Sequence, residues 1–265
     1  MKTAAWFGVC VALVLLTPPV RTAAGAACDG AEPAIAEAAR LVDDADEGAA
    51  ERRLREAAER DPACAPLAVA FLATTGLQHA RHAATRGGPE DLLAPVLDAV
   101  ARLAAWREAP GVVRDAQYAE AALRAAMAAS QDERPELQVW ITHTTDLAAR
   151  LALAGEAPRW PLPPALLAGD LWYEVDRYAE AIEAYREALD RAPSAYAHRG
   201  LARTWNRLQD LPAACHAYRA LEASLVARQA DSPALDEARA FLSRPACQPD
   251  SGPLNPDPRS PIPGP

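Results

Sequence analysis

The sequence predicts an all-α protein, and three observations carry that prediction. Alanine dominates a chain that is 51% apolar, and Lys2 is the only lysine among 27 Lys and Arg residues. Alanine and arginine are both strong helix formers, and the same bias fits a GC-rich bacterial genome. Apolar residues recur three and four positions apart, the helical period. Runs of Val, Ile and Thr at strand spacing are absent. With 265 residues, the chain can bury one large or two small cores. The expected architecture is about ten or eleven helices paired as antiparallel hairpins, which must stack because a lone hairpin leaves one apolar face uncovered.

Residues 1–26 read as an export signal. Lys2 gives a basic start, Ala4 to Leu16 is an apolar run too short for a comfortable membrane span, and Thr17-Pro18-Pro19 breaks it. Small residues at Ala24-Gly25-Ala26 suit cleavage. An uncleaved anchor is the alternative. A lipid on Cys28 is a further one, opposed by Gly25, where a lipoprotein signal carries a large aliphatic residue. The mature chain is therefore expected outside the cytoplasm, periplasmic or extracellular, with no stable membrane span.

The region 27–154 follows. Ile35, Ala38 and Leu41 lie on one helix face, and Ala50, Leu54 and Ala57 on the next. The acidic run Asp43-Asp44-Ala45-Asp46-Glu47-Gly48 divides them and reads as a solvated turn, and Asp61-Pro62 stops the second helix. Leu67, Phe71, Thr74 and Gln78 mark a third helix, closed by Gly87-Gly88-Pro89. Leu92, Leu93, Val96, Val100 and Leu103 mark a fourth, which ends at Ala109-Pro110-Gly111. Tyr118, Ala122, Ala125 and Met127 mark a fifth, and Leu137, Trp140, Ile141, Thr144, Leu147 and Leu151 a sixth. The segment 155–164 holds four prolines and reads as a connection, with a subdomain boundary as the further reading. Four or five helices follow over 165–244, and 245–265 reads as a disordered proline-rich tail.

Two stretches in the C-terminal region repeat. Residues 165–193 carry Gly169-x2-Trp172, then Ala181-x3-Tyr185, Ala188 and Pro193. Leu201-Ala202-x2-Trp205 and Ala214-x3-Tyr218 follow one period later, and Ala38-x2-Leu41, Ala50-x3-Leu54, Ala57 and Pro62 give a weaker copy over 31–64. Small residues suit places where helices touch, large rings fill the space between layers, and a proline ends a helix. This pattern resembles the tetratricopeptide repeat. It departs at Ala165 and Ala168, where the family carries Trp and Leu, and the second copy lacks its closing proline.

The resemblance implies a short α-solenoid whose first helices line a concave groove that grips a peptide or protein segment, acidic or carboxy-terminal in some members. Tyr196, Arg199, Arg203, Asn206 and Arg207 would face it from one copy, and Asp170, Tyr173 and Glu174 from the other. Trp172, Trp205, Tyr185 and Tyr218 would build the scaffold without touching ligand. Arg199 and Arg203 share a helix face and could hold a carboxylate. The alternative is that Asp170, Glu174 or other local acids neutralise them. Hairpin geometry also favours Cys28–Cys64 and Cys215–Cys247 among the three pairings open to the four mature cysteines. Each bridge would stabilise by roughly 3–4 kcal/mol in the chain-entropy model.

Removing residues 1–26 takes the formal charge from −9 to −11, which disfavours nucleic acid and anionic lipid as partners. No G-x-S-x-G, H-E-x-x-H or C-x-x-C occurs, and no lysine follows a glycine as a phosphate loop needs. His79 and His82 stand one turn apart without a third ligand, and His143 near Asp146 is similar. The acidic run at 43–47 lacks the closing glutamate of a calcium loop. The expectation is a non-enzymatic binding scaffold with no metal or cofactor. A structural or assembly subunit of an envelope complex is the alternative, and a helical enzyme with an unfamiliar site ranks third.

Overall fold

The computed structural model describes residues 32–60, 101, 113–154 and 162–248. Among these residues the fold is all-α, with nine α-helices and no strand. They are α1 (Glu32–Asp43), α2 (Glu47–Arg60), α3 (Val113–Ser130), α4 (Arg134–Leu153), α5 (Pro164–Glu174), α6 (Tyr178–Arg191), α7 (Ala195–Arg207), α8 (Leu211–Ala227) and α9 (Pro233–Leu242). A 3₁₀ turn at Pro245–Cys247 follows. The export signal, the helices read near 67–78 and 92–103, His79, His82 and the Cys28–Cys64 pair lie outside the described residues. None of the described helices is long and apolar enough to cross a membrane.

The helices pack in consecutive pairs, and one turn closes four of them. Ala45, Asp132, Asp176 and Gln209 each sit midway between paired helices with φ of 56 to 60°. The following N–H reaches back five residues in every case: Asp46 to Leu41, Glu133 to Ala128, Arg177 to Trp172 and Asp210 to Trp205, at 2.9 to 3.0 Å. This is the Schellman closure, which satisfies carbonyls left open at a helix end. It leaves too little chain for anything but an antiparallel return. At two of these turns the next helix is also capped by a side chain: Asp46 accepts from Ala49 N–H at 2.9 Å, and Asp210 from Ala213 N–H at 3.0 Å. Ser194 does the same for α7, accepting from Ala197 N–H at 3.2 Å.

The core runs without a break from Ile35 to Cys247, so the proline-rich stretch before α5 does not divide the described hydrophobic interior. Leu162 is buried, and its carbonyl accepts from the Tyr118 hydroxyl at 3.2 Å. Alanines at 119, 121, 122, 125, 126, 128 and 129 are all buried along α3. Methyl-sized side chains let α4 and α5 approach it closely.

Two expectations need correction. The turn at 43–47 is not solvated. Asp44 is 5% exposed, Arg228 pairs with Asp43 and Asp44, and Glu47 pairs with Arg199. Desolvated acids near guanidiniums are more stable paired than left facing the core, and the pairs seat the first hairpin on the C-terminal helices. Residues 245–248 belong to the fold, not to a tail. Cys247 is bridged to Cys215 with Cα atoms 5.5 Å apart, the Arg219 guanidinium donates to the Cys247 carbonyl, and Gln248 donates to Leu242 O at 2.9 Å.

Candidate functional site

The site begins with a ring set between two glycines. Tyr185 on α6 lies between α5 and α7. A Cβ on Gly169 would come within 2.5 Å of its ring, and a Cβ on Gly200 would overlap it as closely. The hydrogen at both positions lets the ring pass between helices. Its hydroxyl emerges on the far side and donates to Asp170 at 2.6 Å, while Tyr196 donates to the other oxygen at 2.5 Å.

Beyond those hydroxyls lies a cavity of about 350 Å³. Helix α5 lines it with Asp170, Tyr173 and Glu174, α7 with Tyr196, Arg199, Gly200, Arg203, Asn206 and Arg207, and α9 with Glu237. Glu47 closes one side from the start of α2. All six residues read from the sequence as a groove, Tyr173, Tyr196, Arg199, Arg203, Asn206 and Arg207, therefore face one hollow. Tyr185 and Tyr218 face it as well, which corrects their assignment as buried scaffold only. Their rings pack in the interior, Tyr218 stacking on Phe241 with centroids 4.2 Å apart, but their hydroxyls reach the hollow. Trp205 lies elsewhere, lining a separate apolar hollow with Leu189, Leu201 and Ala217 beneath Arg186.

The interior arginines are matched by acids of the chain itself. Arg199 donates to both oxygens of Glu47 at 2.6 and 2.7 Å, to Ala45 O at 3.2 Å and to Glu237 at 3.1 Å. Arg203 grips Glu237 with two bonds, at 2.8 and 2.6 Å, and Tyr218 donates to the same carboxylate at 2.9 Å. Burial would raise the Glu237 carboxyl, yet the Arg203 bonds and charge, helped by Arg199 and Tyr218, hold it down at about 2. Neutralisation, the alternative reading of the arginine pair, is what the geometry shows, though Glu47 and Glu237 supply it. Arg207 stands at the rim and donates to the Tyr173 hydroxyl at 3.2 Å.

Asp170 behaves differently. Burial pushes its carboxyl up to about 7, the two tyrosine bonds oppose that rise, and the charges of Glu47 and Glu174 add to it. The same burial and the nearby Asp170 charge push both tyrosine hydroxyls well above their ordinary value.

Glu237 was missing from the sequence reading, and a signal for it exists. Asp170 and Arg203 are 33 positions apart and Glu237 follows 34 later, so extending the period once more lands on it. No comparable signal points to Glu47 or to Gly200. His143 and Asp146 are exposed on α4, His143 edge-on to Trp140. Among the described residues, no cluster of three or more His, Cys, Asp or Glu is placed to hold a metal ion.

No protein-family model matches the chain, and no curated protein or solved structure matches it. What the cavity does has to be read from its own residues.

Proposed function

We propose that the chain is a non-enzymatic scaffold of tetratricopeptide type, exported to the cell envelope, which docks a peptide or protein segment in the hollow across α5, α7 and α9. The observation that carries this reading is the register of the lining. Equivalent positions on successive first helices, Asp170, Arg203 and Glu237, face the same hollow at one repeat spacing. A surface built by repetition presents a row of side chains along a line, which suits an extended segment. The Tyr185 ring between Gly169 and Gly200, and the Schellman turns, hold that surface rigid. Docking on a preformed surface avoids an ordering cost on the scaffold side.

The test uses rim residues, whose replacement leaves the buried ion pairs alone. Asn206→Trp would fill part of the hollow, and Arg207→Glu would reverse the rim charge. The reading expects both to lose at least tenfold of the binding of whatever envelope protein co-purifies with the native chain, with circular dichroism unaltered. Retention of that partner by both variants would remove the groove.

A second reading has its own observation. The hollow of Leu189, Leu201, Trp205, Ala213, Ala217 and Ala220 is mainly apolar, edged by Arg186, His198 and His216, and lies away from the first. It favours a structural or assembly subunit that packs its outer surface on a larger complex. Trp205→Ser would abolish the association in that case, with the rim variants silent.

A further inference from the structure

We propose that the apolar hollow between α6, α7 and α8 seats the chain's own residues 249–265, laid across it as an extended proline-rich segment. This goes beyond the docking reading above and concerns the other face of α7.

The hollow measures about 470 Å³, within the size range of ligand pockets. Leu201, Trp205 and Ala217 form its floor, Arg186, His198 and His216 edge it, and no acid lines it. The Arg186 guanidinium rests over the Trp205 ring, 5.8 Å from its centroid. Trp205 and the three edge residues can all donate hydrogen bonds. None of these four side chains forms a hydrogen bond or ion pair with another described residue. An aromatic floor edged by spare donors suits a chain in the polyproline II form, whose carbonyls have no internal partner and which docks in aromatic-lined grooves.

Residues 249–265 have the composition for that form, with seven prolines in seventeen residues. Pro253-Leu254-Asn255-Pro256 sets one apolar side chain between prolines, the group that would enter over Trp205. Asp250 and Asp257 stand four before and three after Leu254, and supply the acid that Arg186 lacks.

The path into this segment starts beside the hollow. Cys247 is bridged to Cys215 on α8, and its carbonyl accepts from Arg219. Arg219 precedes Ala220 by one residue and follows His216 by one turn, and both of those line the hollow. Gln248, the last described residue, donates to Leu242 O at 2.9 Å. From there the hollow lies part-way round α8. Half the circumference of a helix is about 17 Å, and polyproline II from Gln248 to Leu254 spans about 19 Å. A segment tethered this closely meets the hollow at an effective concentration on the order of millimolar, which favours it over a foreign peptide of the same kind.

A photoreactive residue in place of Leu254 tests this in the full mature chain, with isotopically heavy and light copies mixed before irradiation. Adducts are mapped by mass spectrometry after reduction and tryptic digestion. The expected adducts join position 254 to the peptides 204–207 and 208–219, which hold Trp205 and Ala217, and join heavy only to heavy and light only to light. Trp205→Ser removes the ring and should lower their yield. Arg186→Glu, a change at an exposed side chain that leaves the helix packing alone, should lower it too. Adducts between heavy and light copies would place a second copy in the hollow and overturn the proposal. So would adducts confined to other peptides, no adduct at all, or a yield indifferent to Arg186→Glu. The Asn206 and Arg207 variants report on the first hollow separately.

Discussion

Replacing Gly200 by alanine should destabilise the protein, although the same change in an ordinary helix interior stabilises it by about 1 kcal/mol. The added methyl would overlap the Tyr185 ring, which already fills the space against Gly169. The ring cannot retreat toward α5 without the same collision there. Overpacking of this kind costs about 1–3 kcal/mol. A shifted ring also loses its 2.6 Å bond to Asp170, about 1.5–3 kcal/mol for a charged acceptor. Set against the helix gain, the net loss is about 1.5–5 kcal/mol, or a fall in Tm of roughly 3–20 °C at this chain length. Urea unfolding followed by tryptophan fluorescence reads it directly. The decisive comparison is a double-mutant cycle. In a Tyr185→Ala background the obstacle is gone, and Gly200→Ala should become stabilising by about 1 kcal/mol. A stabilising effect in the native background, or a penalty that persists without the ring, would refute the wedge.

Further predictions concern the parts that frame the site. Stability should fall as pH rises from about 4 to about 7, since Asp170 is raised from 3.8 to about 7 and the folded state holds a proton that the unfolded chain releases. The loss is on the order of 2–4 kcal/mol, and Asp170→Asn should flatten that part of the profile in denaturant titrations at fixed salt. Loss of the Cys215–Cys247 bridge, by reductant or by paired Cys→Ala replacement, should cost about 3 kcal/mol. Limited proteolysis should then cut first near 243–248, which the bridge ties to α8. Gln209, exposed and left-handed at φ 60°, should gain about 1 kcal/mol on replacement by glycine, measured as a shift in the urea midpoint.

Much of the C-terminal half was legible because packing fixes residue types at fixed distances. Gly169, Trp172, Ala181, Tyr185 and Pro193 each answer a local steric demand, and one period later Ala202, Trp205, Ala214 and Tyr218 answer it again. That register also placed Asn206 and Arg207 on the correct face. The α3–α4 pair escaped notice as a hairpin of the same kind. In α3 seven alanines between 119 and 129 are buried all round the helix, so no apolar stripe stands out. The shared turns were hidden for a related reason. Ala45, Asp132, Asp176 and Gln209 occupy a conformation that glycine usually marks, so the sequence offers no turn signal there. Glu47 could not be anticipated, because its partner Arg199 lies 152 positions away and meets it only through tertiary docking.

The account stands or falls on occupancy of the hollow. A photoreactive side chain at Asn206, on the rim, and another at exposed Ala223 on α8 would be compared in the full chain within its native envelope, with adducts mapped by mass spectrometry. The expected result is one peptide chain captured at Asn206 and nothing at Ala223. No adduct at Asn206, or equal capture at both positions, would contradict it.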